Sequence, residues 1–259
     1  LISDESIIYL QVDLKSDIQL FEEYRHSRNL IFIKNRINIT WGGYSQVQGM
    51  LNSFAEIIPN FENDQYVSVI SGQDYPLMSN AKMNEFLSAN QGKAFMEYYP
   101  IYGTWKEAIP RLEKFHFTDY QFPGKFNLEA ALNSIMRKRV PPKELIYVGR
   151  SSWFTLTVEH LKYIVNFLES HKGIRNFFKL TWGCDEFVFQ TILYSSTYQS
   201  QMVNNNLRYI DWSLGGARPK ILTMEDAVWL KESNKFFARK FDQNIDSKIL
   251  DWIDEQLLT

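Results

Sequence analysis

Cysteine is almost absent from this 259-residue chain: Cys184 is the only one, so no disulfide can form within it. Long apolar runs are missing too. No stretch approaches the roughly 18 residues a membrane-spanning helix needs, and no signal peptide is visible. Net charge is small: 28 basic residues against 30 acidic ones leave −2, which gives no reason to expect a nucleic-acid partner. The four histidines are spread widely and none shows metal-ligand spacing. No Asp-x-Asp triplet occurs to gather carboxylates around a divalent ion on a diphosphate. The Gly-x-Gly-x-x-Gly dinucleotide fingerprint is likewise absent, as are internal repeats, low-complexity tracts and linkers.

What is present is a well-populated core. A content of 45 % hydrophobic and 15 % aromatic residues excludes a disordered chain. The length suits one large domain, here taken as residues 1–259. Short apolar runs read as strands at Ser6–Asp13, Leu30–Lys34, Tyr66–Ser71, Lys93–Glu97 and Leu145–Val148. Between them, apolar residues at three- and four-residue spacing predict helices near 18–24, over 45–58, from Ser79, over 127–139 and 158–170, and at the C-terminus over 245–258. Such alternation predicts α/β architecture: a mostly parallel central sheet with helices on both faces.

The stretch with most chemical promise is Thr181–Leu193, TWGCDEFVFQTIL. Asp185 reads as an N-cap, and Phe187, Val188, Thr191 and Ile192 as the buried face of the following helix. Glu186 then falls in the first turn, where the helix dipole favours a charged carboxylate suited to general-base work. The plainer reading is a carboxylate that decorates a helix terminus. Cys184, two residues earlier and without a neighbouring His in sequence, reads as packing.

Other candidates fall at strand ends and loops. Asp13 ends the first strand, where open α/β sheets bind ligands, or simply closes a turn. Asp74, in the loop Gly72–Pro76, either hydrogen-bonds a bound sugar or caps the turn. Glu97, Trp105 and Arg111 either line a sugar-binding groove or form a packed aromatic cluster with a solvated charged face. Gly149–Thr157, GRSSWFTLT, reads as a Gly-Ser turn that presents Trp153 at the lip of a cleft. Trp212 offers a flat apolar face to a pyranose, or ends a strand as a core aromatic. His160 and His171 read as surface residues. From Arg208 to Lys240 basic residues outnumber acidic ones by about three, either an ordinary solvated charged face or, given the missing metal motif, a patch that neutralises phosphate.

Five ordered motifs, VDLKS, TWGGYS, SGQDYP, DEFVFQT and ARKFD, resemble those of the family that holds the core-2 and I-branching N-acetylglucosaminyltransferases and the peptide O-xylosyltransferases. TWGGYS and SGQDYP lean towards the xylosyltransferase branch. The resemblance implies the nucleotide-sugar transferase fold called GT-A, with its first strand expected to be missing because few residues precede Ile7. The chain opens on Leu1 rather than Met, so its native N-terminus is expected to lie elsewhere.

The resemblance also implies an inverting transfer of xylose or N-acetylglucosamine from a UDP-sugar to a glycan hydroxyl. Glu186 would be the base. Asp13 and Asp74 would serve the donor, and Lys240, with Arg218 or Lys220 and with Arg239, would hold the diphosphate in place of a metal. Trp212 matches a Trp that stacks on the acceptor sugar in the family; Trp153 and Glu97 are acceptor candidates from the residues alone. No cofactor and no metal are expected. The eukaryotic members of the family are rich in cysteine, and this chain is not. A reducing bacterial cytoplasm is therefore expected, with polysaccharide as product and peripheral membrane association through the acceptor. Two other readings stay open: a catalytically silent glycan-binding module, and a UDP-sugar hydrolase in which Glu186 activates water.

Overall fold

In a computed structural model of the chain, which describes residues 6–216 and 218–258, the strands gather into three sheets flanked by helices. β1 (Ile8–Leu10) and β2 (Leu30–Phe32) form a parallel pair. The central sheet has the order β3 (Tyr66–Ser68), β6 (Val148–Thr157), β5 (Ala94–Pro100), β7 (Met202–Asn204). The third sheet has the order β4 (Asp74–Pro76), β9 (Phe237–Arg239), β8 (Arg208–Ile210). The α/β class holds, but the pairing is mixed rather than mostly parallel. β1–β2, β5–β7 and β8–β9 are parallel, whereas β3–β6, β5–β6 and β4–β9 are antiparallel. Alternation along the chain signals the class, but it does not signal that β6 returns antiparallel between β3 and β5. Leu1–Glu5 and anything ahead of them, where a first strand was expected to be missing, lie outside the described residues.

The helical periods translate directly into packing. In α1 (Tyr44–Ile57), Val47, Leu51 and Phe54 are buried, and in α5 (Val158–Ser170) Leu161, Ile164 and Leu168 are buried. Both helices share the main core with Met96 of β5, Phe154 and Leu156 of β6, and Val188, Phe189, Ile192 and Leu193 of α7 (Val188–Tyr194). The opposite face of β5 carries Phe95 into a second cluster with Met83 of α2 (Asn80–Ala89), Phe236 and Phe237. Around the third sheet, Leu77, Leu222, Ala238 and Phe241 pack on Leu230 of α8 (Ala227–Glu232) and on Ile249 and Ile253 of α9 (Lys248–Gln256).

β6 departs from the expected turn at GRSSW. Met96 pairs with Phe154 and Tyr98 with Arg150, so Ser151, Ser152 and Trp153 together oppose the single residue Glu97. The segment is a bulge in a continuous strand. Bulges re-aim side chains out of a ladder, and this one sits where the candidate residues converge. Gly149 is required for a different reason than a turn: a Cβ there would run into Phe187 and the carbonyl of Glu186.

Candidate active site

The two acidic residues lie just ahead of α7, in a single 3₁₀ turn, Cys184–Glu186, entered through Gly183 at φ +62°. Glu186 is therefore outside the first turn of the helix, and Asp185 makes no capping hydrogen bond. The turn is instead fastened to β6. Ser152 Oγ donates to Asp185 Oδ2 at 2.6 Å, Gln190 Nε2 donates to the carbonyl of Ser151, and Thr191 Oγ1 donates to that of Val148 at 3.0 Å. Asp185 is buried, and burial pushes its carboxyl up to about 6, opposed by the Ser152 hydrogen bond and reinforced by the neighbouring Glu186 charge. Glu186 is partly exposed. Its Oε2 meets Arg111 Nη1 at 2.5 Å, while Oε1 has no hydrogen bond among the described residues.

The guanidinium of Arg111, from α3 (Ile109–Glu113), lies near two indoles, 4.5 Å from the Trp182 ring centroid and 5.1 Å from that of Trp105. Trp105 is buried. Trp182 in turn packs edge-on against Trp41 at 5.5 Å, and Trp41 is 72 % exposed. The TWGGYS loop closes this side. Gly183 donates to the carbonyl of Gly42 at 2.7 Å, and Asp119 accepts from the amide (2.9 Å) and hydroxyl (2.5 Å) of Ser45. Trp41, Trp182 and the Arg111–Glu186 pair were not foreseen as a unit. Their only sequence signal is that an acidic pair near a cleft needs a cation, and Arg111 lies 75 residues from Glu186.

Past Ser152, the strand presents Trp153, and the Arg239 guanidinium lies 4.4 Å from its ring centroid. Arg239 Nε sits 3.2 Å from Asp74 Oδ1, close enough for an ion pair though not aligned as a hydrogen bond. The Asp74 side chain is 0 % exposed and also accepts from the amide (2.8 Å) and hydroxyl (3.0 Å) of Ser71. Asp74 thus begins β4 and ties back the preceding turn, with its carboxyl raised by burial. On the adjacent β5, Glu97 accepts from Asn206 Nδ2 at 3.2 Å, and that same amide reaches Ser151 Oγ at 3.2 Å. Burial raises the Glu97 carboxyl, with Arg150 and Lys235 opposing. Glu186, Trp153, Arg239, Asp74 and Glu97 are in this way joined through the β6 bulge.

Not every candidate joins them. Asp13 follows β1, accepts from the Lys15 amide at 2.9 Å and lies 3.4 Å from Lys15 Nζ. Trp212 is exposed in the loop after β8. Lys220 donates to Asp226 Oδ1 at 2.6 Å, a bond that raises its ammonium, and Asp226 also caps Thr223. Arg218 is exposed, and among the described residues neither it nor Lys240 has an ion-pair partner. Arg208 leaves the basic patch altogether. It is buried, hydrogen-bonded to Thr155 Oγ1 at 2.9 Å and the Val69 carbonyl at 2.9 Å, and burial lowers it to about 9.

Two further readings are settled by burial. His160 is a core residue and not a surface one: it completes a capping box with Thr157 and its Nε2 meets Gln201 Oε1 at 2.8 Å. Cys184 is wholly buried and its thiol is raised well above the usual range, as packing requires. Among the described residues no group of three His, Cys, Asp or Glu side chains is arranged to hold a metal ion, and no helix is long and apolar enough to cross a membrane.

The sequence model of the Core-2/I-Branching enzyme family matches residues 7–231, and the chain belongs to that family. Among the curated proteins similar to the chain are several named xylosyltransferases. Xylosyltransferase 2 of Mus musculus is 26% identical over 279 residues, covering 98% of this chain and 31% of its own length. Xylosyltransferase 2 of Homo sapiens is 26% identical over 282 residues with the same two coverages, 98% and 31%. Xylosyltransferase oxt of Drosophila melanogaster is 24% identical over 281 residues, covering 99% of this chain and 31% of its own. The chain therefore spans just under a third of the length of these relatives.

Proposed function

We propose that this chain is an inverting glycosyltransferase of GT-A type that moves a sugar from a UDP-sugar to a hydroxyl of a glycan acceptor. One observation carries the reading: a partly exposed carboxylate, Glu186, with no hydrogen bond to Oε1 among the described residues, sits beside a strand bulge that also gathers a tryptophan, a half-buried Asp–Arg pair and a second carboxylate. Glu186 takes the acceptor proton on Oε1 as the acceptor oxygen bonds to the anomeric carbon. The bond from that carbon to the diphosphate oxygen breaks on the opposite face, and its electron pair leaves with UDP. Arg111 orients Glu186 through Oε2.

Lys240 and Arg218 meet the charge on the leaving diphosphate. The choice of Arg218 over Lys220 is supported by the commitment of Lys220 to Asp226. Arg239 and Asp74 act as a unit, with Arg239 supporting the Trp153 platform and facing the donor with its remaining nitrogens. The lack of an Asp-x-Asp triplet and this supply of cations support metal-independent turnover without a cofactor. Trp153, Trp212 and Glu97 serve the acceptor, and Asp13 the donor base. The names of the relatives favour xylose over N-acetylglucosamine as the sugar moved. A single cysteine fits a reducing compartment, which supports the placement in a bacterial cytoplasm.

The test is UDP release from UDP-xylose and UDP-N-acetylglucosamine in excess EDTA, with product analysis with and without a glycan acceptor. Turnover in EDTA is expected to persist and to fall about 10²- to 10⁴-fold in Glu186→Gln, with UDP binding unchanged by calorimetry. Turnover that stops in EDTA and returns with Mn²⁺ removes the role given to Lys240 and Arg218. UDP release that ignores every acceptor makes the protein a hydrolase.

A further inference from the structure

The VDLKS loop, residues 12–16, carries the residue given to the donor base, and it has little packing of its own. The strand ahead of it, β1, is three residues long and pairs only with β2 among the described residues. Val12 is buried, whereas Leu14, Lys15 and Ser16 are exposed. Two hydrogen bonds close the loop as a turn: the Lys15 amide donates to Asp13 Oδ1 at 2.9 Å, and the Ser16 amide to the Asp13 carbonyl at 2.9 Å. These bonds give the loop a shape. They do not fix where it sits on the body of the protein.

Arg36 does that. Its Nε donates to the Val12 carbonyl at 3.0 Å, and its Nη2 donates to the carbonyls of Asp13 at 2.9 Å and Ser16 at 2.7 Å. Among the described residues these carbonyls are the guanidinium's only hydrogen-bond partners, and no carboxylate pairs with it. A planar fork of fixed N–H donors suits carbonyls that converge from three positions of one loop, and a flexible ammonium does not reproduce it. The cation is therefore committed to the loop rather than to charge pairing.

Arg36 is held from behind in its turn. The Glu56 carboxylate of α1 accepts from the amides of Lys34 at 3.0 Å and Asn35 at 2.8 Å, and Asn52 Nδ2 of the same helix donates to the Asn35 carbonyl at 3.0 Å. α1 is seated in the main core through Val47, Leu51 and Phe54. Two further ties join the loop to the segment after Arg36: the Leu14 amide donates to the Ile37 carbonyl at 3.0 Å, and Lys15 Nζ to the Ile39 carbonyl at 2.6 Å. A core helix thus supports Arg36, and Arg36 supports the loop, which is how a binding side chain on an exposed turn is kept in one place. Asp13 Oδ2 meets only Lys15 Nζ, at 3.4 Å, and is the oxygen left to accept from an N–H of a base.

We infer that Arg36 is a positioning residue for nucleotide recognition: by holding the carbonyls of Val12, Asp13 and Ser16 it sets where Asp13 meets the donor base, and through Asp13 it sets the preference for uridine. The inference rests on the donor-base role proposed above for Asp13.

Calorimetric titration with UDP and with ADP, which share the diphosphate and differ in the base, tests it. The wild type is expected to bind UDP at least about tenfold more tightly than ADP. Arg36→Met is expected to weaken UDP about tenfold and to leave ADP within about twofold, so that the preference disappears; a general loss of structure would weaken both alike. Arg36→Lys keeps the charge and the stem and is expected to weaken UDP at least about threefold, which keeps the test open should Arg36→Met fail to fold. Asp13→Ala is expected to weaken UDP about tenfold, and adding Arg36→Met to it to cost no more than about twofold further, because both changes act on one contact. UDP affinity unchanged in both Arg36 variants, or UDP and ADP weakened equally, overturns the inference, while a loss in Asp13→Ala leaves the donor reading standing. If Asp13→Ala binds UDP as the wild type does, or the wild type binds no UDP, the donor-base role of Asp13 falls and the inference falls with it.

Discussion

Replacing Asp185 by Asn should make the protein more stable at neutral pH, and the gain should fade in acid. The carboxyl is buried, accepts one short hydrogen bond from Ser152, and releases its proton near 6 instead of the ordinary 3.8. A raised carboxyl pKa means that the fold prefers the protonated form. Stability from this group is greatest below 3.8 and is lost as pH rises through 6. At about 1.4 kcal/mol for each pH unit between those limits, the buried charge costs about 3 kcal/mol at pH 7.5 and about half of that at pH 5. Asparagine keeps an oxygen for Ser152 Oγ and carries no charge. Urea unfolding of the two proteins should therefore differ by about 1 M in midpoint at pH 7.5, for a slope of about 3 kcal/mol/M, with the gap roughly halved at pH 5. Equal midpoints, or a gap that does not move with pH, would mean that Asp185 ionises normally and that its environment is wetter or better paired than the Ser152 contact implies.

Three other outcomes follow from the same geometry. Arg111→Met should lower kcat by about tenfold to 10²-fold through a misplaced Glu186, and Arg111→Lys should not restore it because a point-charge ammonium does not reproduce the guanidinium's combined contacts with Glu186, Trp105 and Trp182; steady-state kinetics of all three proteins checks this. Gly149→Ala should cost about 1–3 kcal/mol in thermal unfolding and reduce turnover as well, since the new methyl meets Phe187 and the Glu186 carbonyl. His160 is kept neutral by burial, so stability that is present above its ordinary 6.5 is lost as pH falls below that value; His160→Gln should flatten melting temperature against pH between 7 and 5, as scanning calorimetry would show.

How far the sequence could be read follows from which signals are local. Helix faces are local, and the inward sets Val47, Leu51, Phe54 and Leu161, Ile164, Leu168 emerge from period alone. α5 begins and ends at the expected residues, Val158 and Ser170. The carboxylate pair and the ARKFD cations were visible as residues, but their partners were not. Arg111 and Ser152 reach the acidic turn across 75 and 33 positions, and nothing in the spacing points to them. GRSSW imitated a turn because glycine and serine favour turns, whereas here the glycine clears space for Phe187 and the serines bulge out of a ladder. His160 was misplaced for a similar reason. A polar residue in a first helical turn reads as solvated, yet its ring closes a capping box beneath Tyr198.

The bulge in β6 also separates two kinds of inheritance along one strand. Three residues there stand opposite one, so the strand gains two positions over its partner, an even number. Side chains alternate with a period of two, and an even surplus leaves the parity of the strand intact: Phe154 and Arg150 return to the faces set by Met96 and Tyr98. Substitutions at Ser151, Ser152 or Trp153, or loss of two of them together, leave every core position downstream facing as before. Loss of one would leave two residues opposite Glu97, a smaller bulge that re-aims the side chains remaining in it. Selection can therefore rewrite the chemistry presented by this segment in steps of one side chain, or of two residues, while the hydrophobic interior beside it stays in register.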